Sequence, residues 1–161
     1  MMVLLKILAV AICGAIAYQD IKDRMVIWIA FPMMALVLTL IHAASSGWEQ
    51  VFWFSITNLL LVSGVLLLLF LYTRFFSKKK FLNTSLGLGD ILFFYAFSFG
   101  FPTLTFVILF VGSLLFSLFL FLSLKSVQHM ETVPLAGYMS LFLIGTMALS
   151  FFIKTPNLYQ L

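Results

Sequence analysis

Residues 51–72 read VFWFSITNLLLVSGVLLLLFLY and contain no charged side chain. A helix needs about 20 apolar residues to cross the hydrocarbon core of a bilayer. This stretch therefore reads as a membrane-spanning helix. Lipid offers no partner to a bare N–H or C=O, so a chain made of such stretches pairs its backbone within each segment and is helical.

The same kind of run recurs on both sides. Six spans are predicted: Val3–Tyr18, Met25–Ala43, Val51–Tyr72, Gly89–Phe99, Thr103–Leu124 and Val133–Ile153. The fourth is short because Gly100-Phe101-Pro102 interrupts it. It is expected to tilt or to end under the cover of neighbouring helices. The composition agrees, with 64% of 161 residues hydrophobic and 9% charged, against about 25% charged in an average soluble domain. The predicted fold class is all-α and polytopic: six transmembrane helices in a single membrane-embedded domain over residues 1–161. One cysteine, Cys13, is too few for an internal disulfide or a zinc site. The first apolar run reads as a retained helix, since no small-residue cleavage site is followed by a polar mature domain.

The net charge of +4 reads as a topology signal rather than a nucleic-acid surface. Lys22 and Arg24 follow the first span. Arg74, Lys78, Lys79 and Lys80 follow the third, and Lys125 follows the fifth. The opposite side offers Glu49, the Gly-Phe-Pro turn and a tail with Lys154, and Lys6 is a weak counter-signal. The bias of Lys and Arg toward the cytoplasm puts loops 1–2, 3–4 and 5–6 inside and both termini outside. The Lys78–Lys80 run serves this anchoring better than it serves a substrate or acidic-lipid site.

Within this frame two acids stand out: Asp20 in Tyr18-Gln-Asp20-Ile-Lys22-Asp-Arg24, and Asp90 in Gly87-Leu-Gly89-Asp90. A carboxylate at the edge of a span is costly and by default marks a site. The topology gives both acids one membrane depth although they lie seventy positions apart. Two neighbouring carboxyls cannot both ionise easily, so such a pair shares a proton. One member can then take a proton from water while the other polarises a peptide carbonyl. No metal, cofactor or nucleophilic side chain is required. Gly87 and Gly89 would leave room for a substrate backbone and permit backbone angles closed to other residues.

Plainer readings stand beside this one. Asp90 could be the N-cap of the fourth helix. Asp20 could be a solvated acid paired with Lys22 or Arg24. Asp23, three residues on, could share the Asp20 face, and pairing with its basic neighbours is expected. A zinc protease fits poorly, since there is no His-Glu-x-x-His and the two histidines are predicted on opposite sides; His42 reads as interfacial and His129 as a loop residue. A proton-coupled transporter could use the same acids, but such sites lie near the bilayer midplane.

With these residues in place, the chain resembles the type IV prepilin peptidase family. The resemblance rests on Tyr18-x-Asp20-x-Lys22-x-Arg24, on Gly87-x-Gly89-Asp90 and on Val133-Pro134-Leu135, in that order across nearly the whole length. It implies that Asp20 and Asp90 are the catalytic pair of an aspartic-type endopeptidase. Gly87, Gly89, Lys22, Arg24 and Pro134 would lie near the site and help place the substrate. The implied partner is a pilin-like precursor, cut between a basic leader and an apolar helix at the cytoplasmic face of the bacterial inner membrane. The chain departs from the pattern at Leu92, where many members have Lys. It departs again at Val26-Ile27-Trp28, where many have Ile-Pro, and at Ala136-Gly137, where a second Pro is common. An inactive relative that binds pilin-like helices is the remaining alternative. With one cysteine and no cysteine-rich domain, the chain resembles the minimal, peptidase-only form.

Overall fold

The computed structural model describes residues 1–77, 87–128, 133–152 and 159. Among them the regular elements are all helical: α1 (Met2–Asp23), α2 (Ala30–Ser46), α3 (Trp48–Tyr72), α4 (Leu88–Ser98), α5 (Thr103–Gln128) and α6 (Leu135–Phe152). A π-helical turn, Thr73–Ser77, extends α3. Among the described residues, three segments are long and apolar enough to cross a membrane: Met2–Asp23, Trp48–Phe75 and Thr103–Leu124. The other three helices are apolar but shorter. The 11 residues of α4 rise only about 16 Å, roughly half of a hydrocarbon core.

Several boundaries differ from the sequence expectation. Helix α1 runs past Tyr18 to Asp23, so Asp20 and Lys22 are helical rather than in a loop. Helix α2 begins at Ala30, not Met25. Lys125 falls inside α5 rather than in the following loop. Lys78, Lys79, Lys80, His129, Ile153 and Lys154 lie outside the described residues.

The outer faces are apolar. Leu60, Leu68, Leu115 and Phe119 are all exposed, an arrangement stable in lipid and not in water. Trp28 is exposed at one end of the bundle, and Trp48 and Trp53 toward the other, as interfacial anchors of a membrane protein are.

Helix α4 is the inner element, packed by α2, α3 and α6. Phe93 and Phe97 are fully buried. The Phe97 ring meets Phe106 at 5.6 Å and Phe101 at 5.8 Å, both near perpendicular, the edge-to-face geometry aromatic rings prefer. Gly100 and Pro102 end the helix, Pro102 because it has no N–H and disfavours a helical residue before it.

A half-length helix ending among apolar side chains leaves carbonyls without intrahelical partners. Two side chains meet them. The buried Asn58 amide of α3 donates to Ser98 O and Phe101 O, both at 2.9 Å. His42 Nδ1 of α2 lies 3.2 Å from Phe99 O; a carbonyl only accepts, so Nδ1 carries the hydrogen. His42, expected at the membrane interface, is instead fully buried. The Tyr159 ring covers this turn, 5.8 Å from the His42 ring and 5.6 Å from Phe101.

Candidate active site

The buried stripe of α1 passes through Ala9, Cys13 and Ile16. One further turn along the same face is Asp20. On α4 the buried stripe runs back from Phe97 through Phe93 and Phe94, and one turn earlier is Asp90. Each acid thus prolongs an apolar stripe at the end of its helix, and each is half-buried.

What receives them is the start of α6. Pro134 precedes this helix, and its carbonyl accepts the Tyr138 N–H at 3.1 Å, opening the helical ladder. The first N–H groups of a helix have no partner within it and form its positive end. Two of them are taken by the acids. The Ala136 N–H donates to Asp90 Oδ1 at 2.9 Å. The Gly137 N–H donates to Asp20 Oδ2 at 2.6 Å. Consecutive amide nitrogens lie roughly 3 Å apart, which holds these two carboxylate oxygens within about 9 Å of each other.

Asp90 has a further partner. The Gly87 N–H donates to its Oδ2 at 3.2 Å. Gly87, not Asp90, is the N-cap of α4, and Asp90 reaches back to it from the third helical position. This is the reciprocal half of a capping box. The reading of Asp90 as the N-cap is thus corrected: it is the N3 residue, with one oxygen on the N-cap amide and the other committed to α6.

Helices α1 and α4 reach the site by separate routes. They make no extensive contact with each other; α6 packs against both and brings their acids together. The glycines also act differently from expectation. Gly87 has φ −71 and ψ 148, an extended conformation open to any residue, and Gly89 lies within α4. Only Gly47 among the described glycines has a positive φ. Space is what Gly87 supplies, since a Cβ there would stand 3.0 Å from Asp90 Oδ2. At Gly89 a Cβ would meet only Phe31 Cζ, at an ordinary 3.6 Å.

Of the basic residues, Lys22 is exposed and turns away from the acids. Its Nζ donates to Tyr18 OH at 2.8 Å and lies 5.1 Å over that ring. Arg24, exposed, takes a left-handed conformation (φ 55) that ends α1, a position where glycine is usual. The Ile27 N–H donates to Gln19 Oε1 at 3.0 Å, fixing the chain beyond the turn. Asp23 is exposed, and the lysine beside it is engaged with Tyr18 rather than with Asp23. Pro134 is buried, one residue removed from the two donors.

Ala136 and Gly137 were not among the sequence-predicted site residues. Their contribution is backbone, which residue identity does not disclose. The available signal was two small residues in the first turn after a proline. Among the described residues no three of His, Cys, Asp and Glu gather to hold a metal ion. What the geometry offers is two carboxyls from different helices, half shielded from water and fixed by a third helix. Carboxyls are groups that can take and give protons in a reaction. Comparison with family models, curated proteins and solved structures gave no match.

Proposed function

We propose that this chain is an integral membrane aspartic endopeptidase of six spans, acting on the leader peptide of pilin-like precursors. One observation carries the reading. Asp20 and Asp90, remote in sequence, accept hydrogen bonds from adjacent amides of one helix turn. A transporter site would place such acids near the middle of the bilayer, whereas both stand at helix ends.

In this reading a water lies between the carboxyls. The ionised acid takes its proton as the oxygen attacks the scissile carbonyl carbon. The protonated acid gives its proton to the carbonyl oxygen. The tetrahedral intermediate collapses when the C–N bond breaks: the new amine takes up the proton held by the first acid, and one hydroxyl of the intermediate returns its proton to the second acid as the product carbonyl re-forms. Neither carboxyl needs a metal for this exchange. The start of α6 contributes oriented dipoles at no cost of reorganisation during reaction. The Lys and Arg bias supports a cytoplasmic position for this end of the bundle, and the resemblance implies the bacterial inner membrane. A precursor would present its basic leader there and leave its apolar helix in lipid.

The test is co-expression with candidate precursors, followed by sequencing of the new amino terminus. Asp20→Asn and Asp90→Asn should each abolish cleavage at normal protein level. Cleavage retained in either variant rules out that acid as catalytic. Precursor that binds the unaltered chain without being cut would favour the inactive, helix-binding alternative.

A further inference from the structure

The closest contact at the acid pair is the 2.6 Å hydrogen bond from the Gly137 N–H to Asp20 Oδ2. It exists because α1 comes unusually near α6. A Cβ at Gly137 would stand 3.0 Å from Ile21 Cγ1, 3.1 Å from Asp20 Oδ2 and 3.2 Å from Asp20 Cβ. Three such contacts at once leave no direction in which one flexible atom could yield. Elsewhere on α6, Gly145 is exposed and a Cβ there would meet nothing within 4 Å, so it serves as a control.

We propose that Gly137 is a positioning residue for Asp20: its missing side chain admits the last turn of α1, and its N–H then fixes the carboxylate. The proposal deepens the peptidase reading and rests on it for its catalytic consequence. It also gives a physical meaning to Ala136-Gly137. A proline at either position has no N–H, so either acid would lose its donor. This chain has a donor at each position.

The first test needs no substrate. The full chain in detergent micelles, labelled with 15N-glycine, has nine glycines to resolve, and loss of one signal in Gly137→Ala identifies Gly137. A short bond to a carboxylate draws an amide proton downfield. The Gly137 signal should therefore lie downfield of Gly145. It should move upfield in Asp20→Asn and further in Asp20→Ala, while Gly145 stays in place. A Gly137 signal indifferent to Asp20→Ala overturns the proposal.

The second test reads turnover on a cleaved precursor. Gly137→Ala should lower kcat by about tenfold to a hundredfold, the scale of a group misplaced by an ångström. KM should change little and Gly145→Ala should be neutral in both. An unchanged kcat in Gly137→Ala also overturns the proposal. If the unaltered chain cleaves no precursor, the peptidase reading fails, and the amide shifts still decide whether Gly137 fixes Asp20.

Discussion

Asp90 accepts the Ala136 N–H at 2.9 Å and so ties the start of α4 to the start of α6 across 46 positions. The neighbouring amide makes the equivalent tie from α6 to α1. The two acids therefore depend on a single helical turn, and they act on the same water in the proposed reaction. Groups that act as a unit have non-additive losses. Asp20→Asn, Asp90→Asn and the double variant should all fall to the same residual rate of precursor cleavage. A double variant slower than both singles by the product of their losses would show two independent contributions and sink the dyad.

Gly87 and Gly89 should separate on substitution. Gly87→Ala forces a methyl against Asp90 Oδ2 at 3.0 Å. The acid must shift, and cleavage should drop by about tenfold or more. Gly89 is helical and its Cβ has room. Gly89→Ala should stabilise the protein by about 0.5–1 kcal/mol, the usual gain for a helical glycine. Thermal melts in detergent and cleavage rates together check both. A destabilised Gly89→Ala would mean that the space read beside Phe31 is not there.

The sequence made parts of this site legible and hid others for a physical reason. The spacing of Ala9, Cys13, Ile16 and Asp20 already aligns the acid with a core stripe, and charge bias alone put Asp20 and Asp90 at one depth. The helical fold follows from apolar runs without charge. By contrast, the donors at 136 and 137 are backbone groups, present at nearly every residue, and nothing in their side chains announces a role. His42 misled because a histidine in an apolar run suits an interface as well as a buried carbonyl partner. Its place depends on where α4 ends, which is a tertiary fact. The glycines before Asp90 misled for the opposite reason: glycine permits unusual backbone angles, but at 87 it is chosen for the volume it leaves.

Asp23 provides a control of unusual closeness. It is three residues from Asp20 on the same helix, yet it lies beyond the packed stripe and is exposed. Neutralising it removes a solvated charge, an effect usually within about 0.5 kcal/mol on stability. Asp23→Asn should keep cleavage within about twofold of the unaltered chain under conditions where Asp20→Asn has none. The comparison is a cleavage time course on one precursor with both variants at equal amounts. Loss of activity in Asp23→Asn equal to that in Asp20→Asn would reassign the acid of α1.

The half-length helix α4 can carry Asp90 at one end only if its other end is held, and Asn58 is the side chain that holds it. The Asn58 amide donates to two carbonyls, Ser98 O and Phe101 O, in a fully buried setting. Leucine has the same branched heavy-atom skeleton as asparagine but is bulkier and offers no hydrogen. Asn58→Leu would leave both carbonyls without that donor, at about 1–3 kcal/mol for each buried group left unpaired. The expected loss is therefore about 2–6 kcal/mol, read by chemical or thermal denaturation in detergent. Asn58→Gln keeps the amide but adds a methylene to a packed site and should recover only part of it. Because the turn lies at the far end of α4 from Asp90, cleavage in the folded fraction should fall less than stability does. An Asn58→Leu protein as stable as the unaltered chain would show that the turn finds other partners, and α4 would then be anchored by its phenylalanines alone.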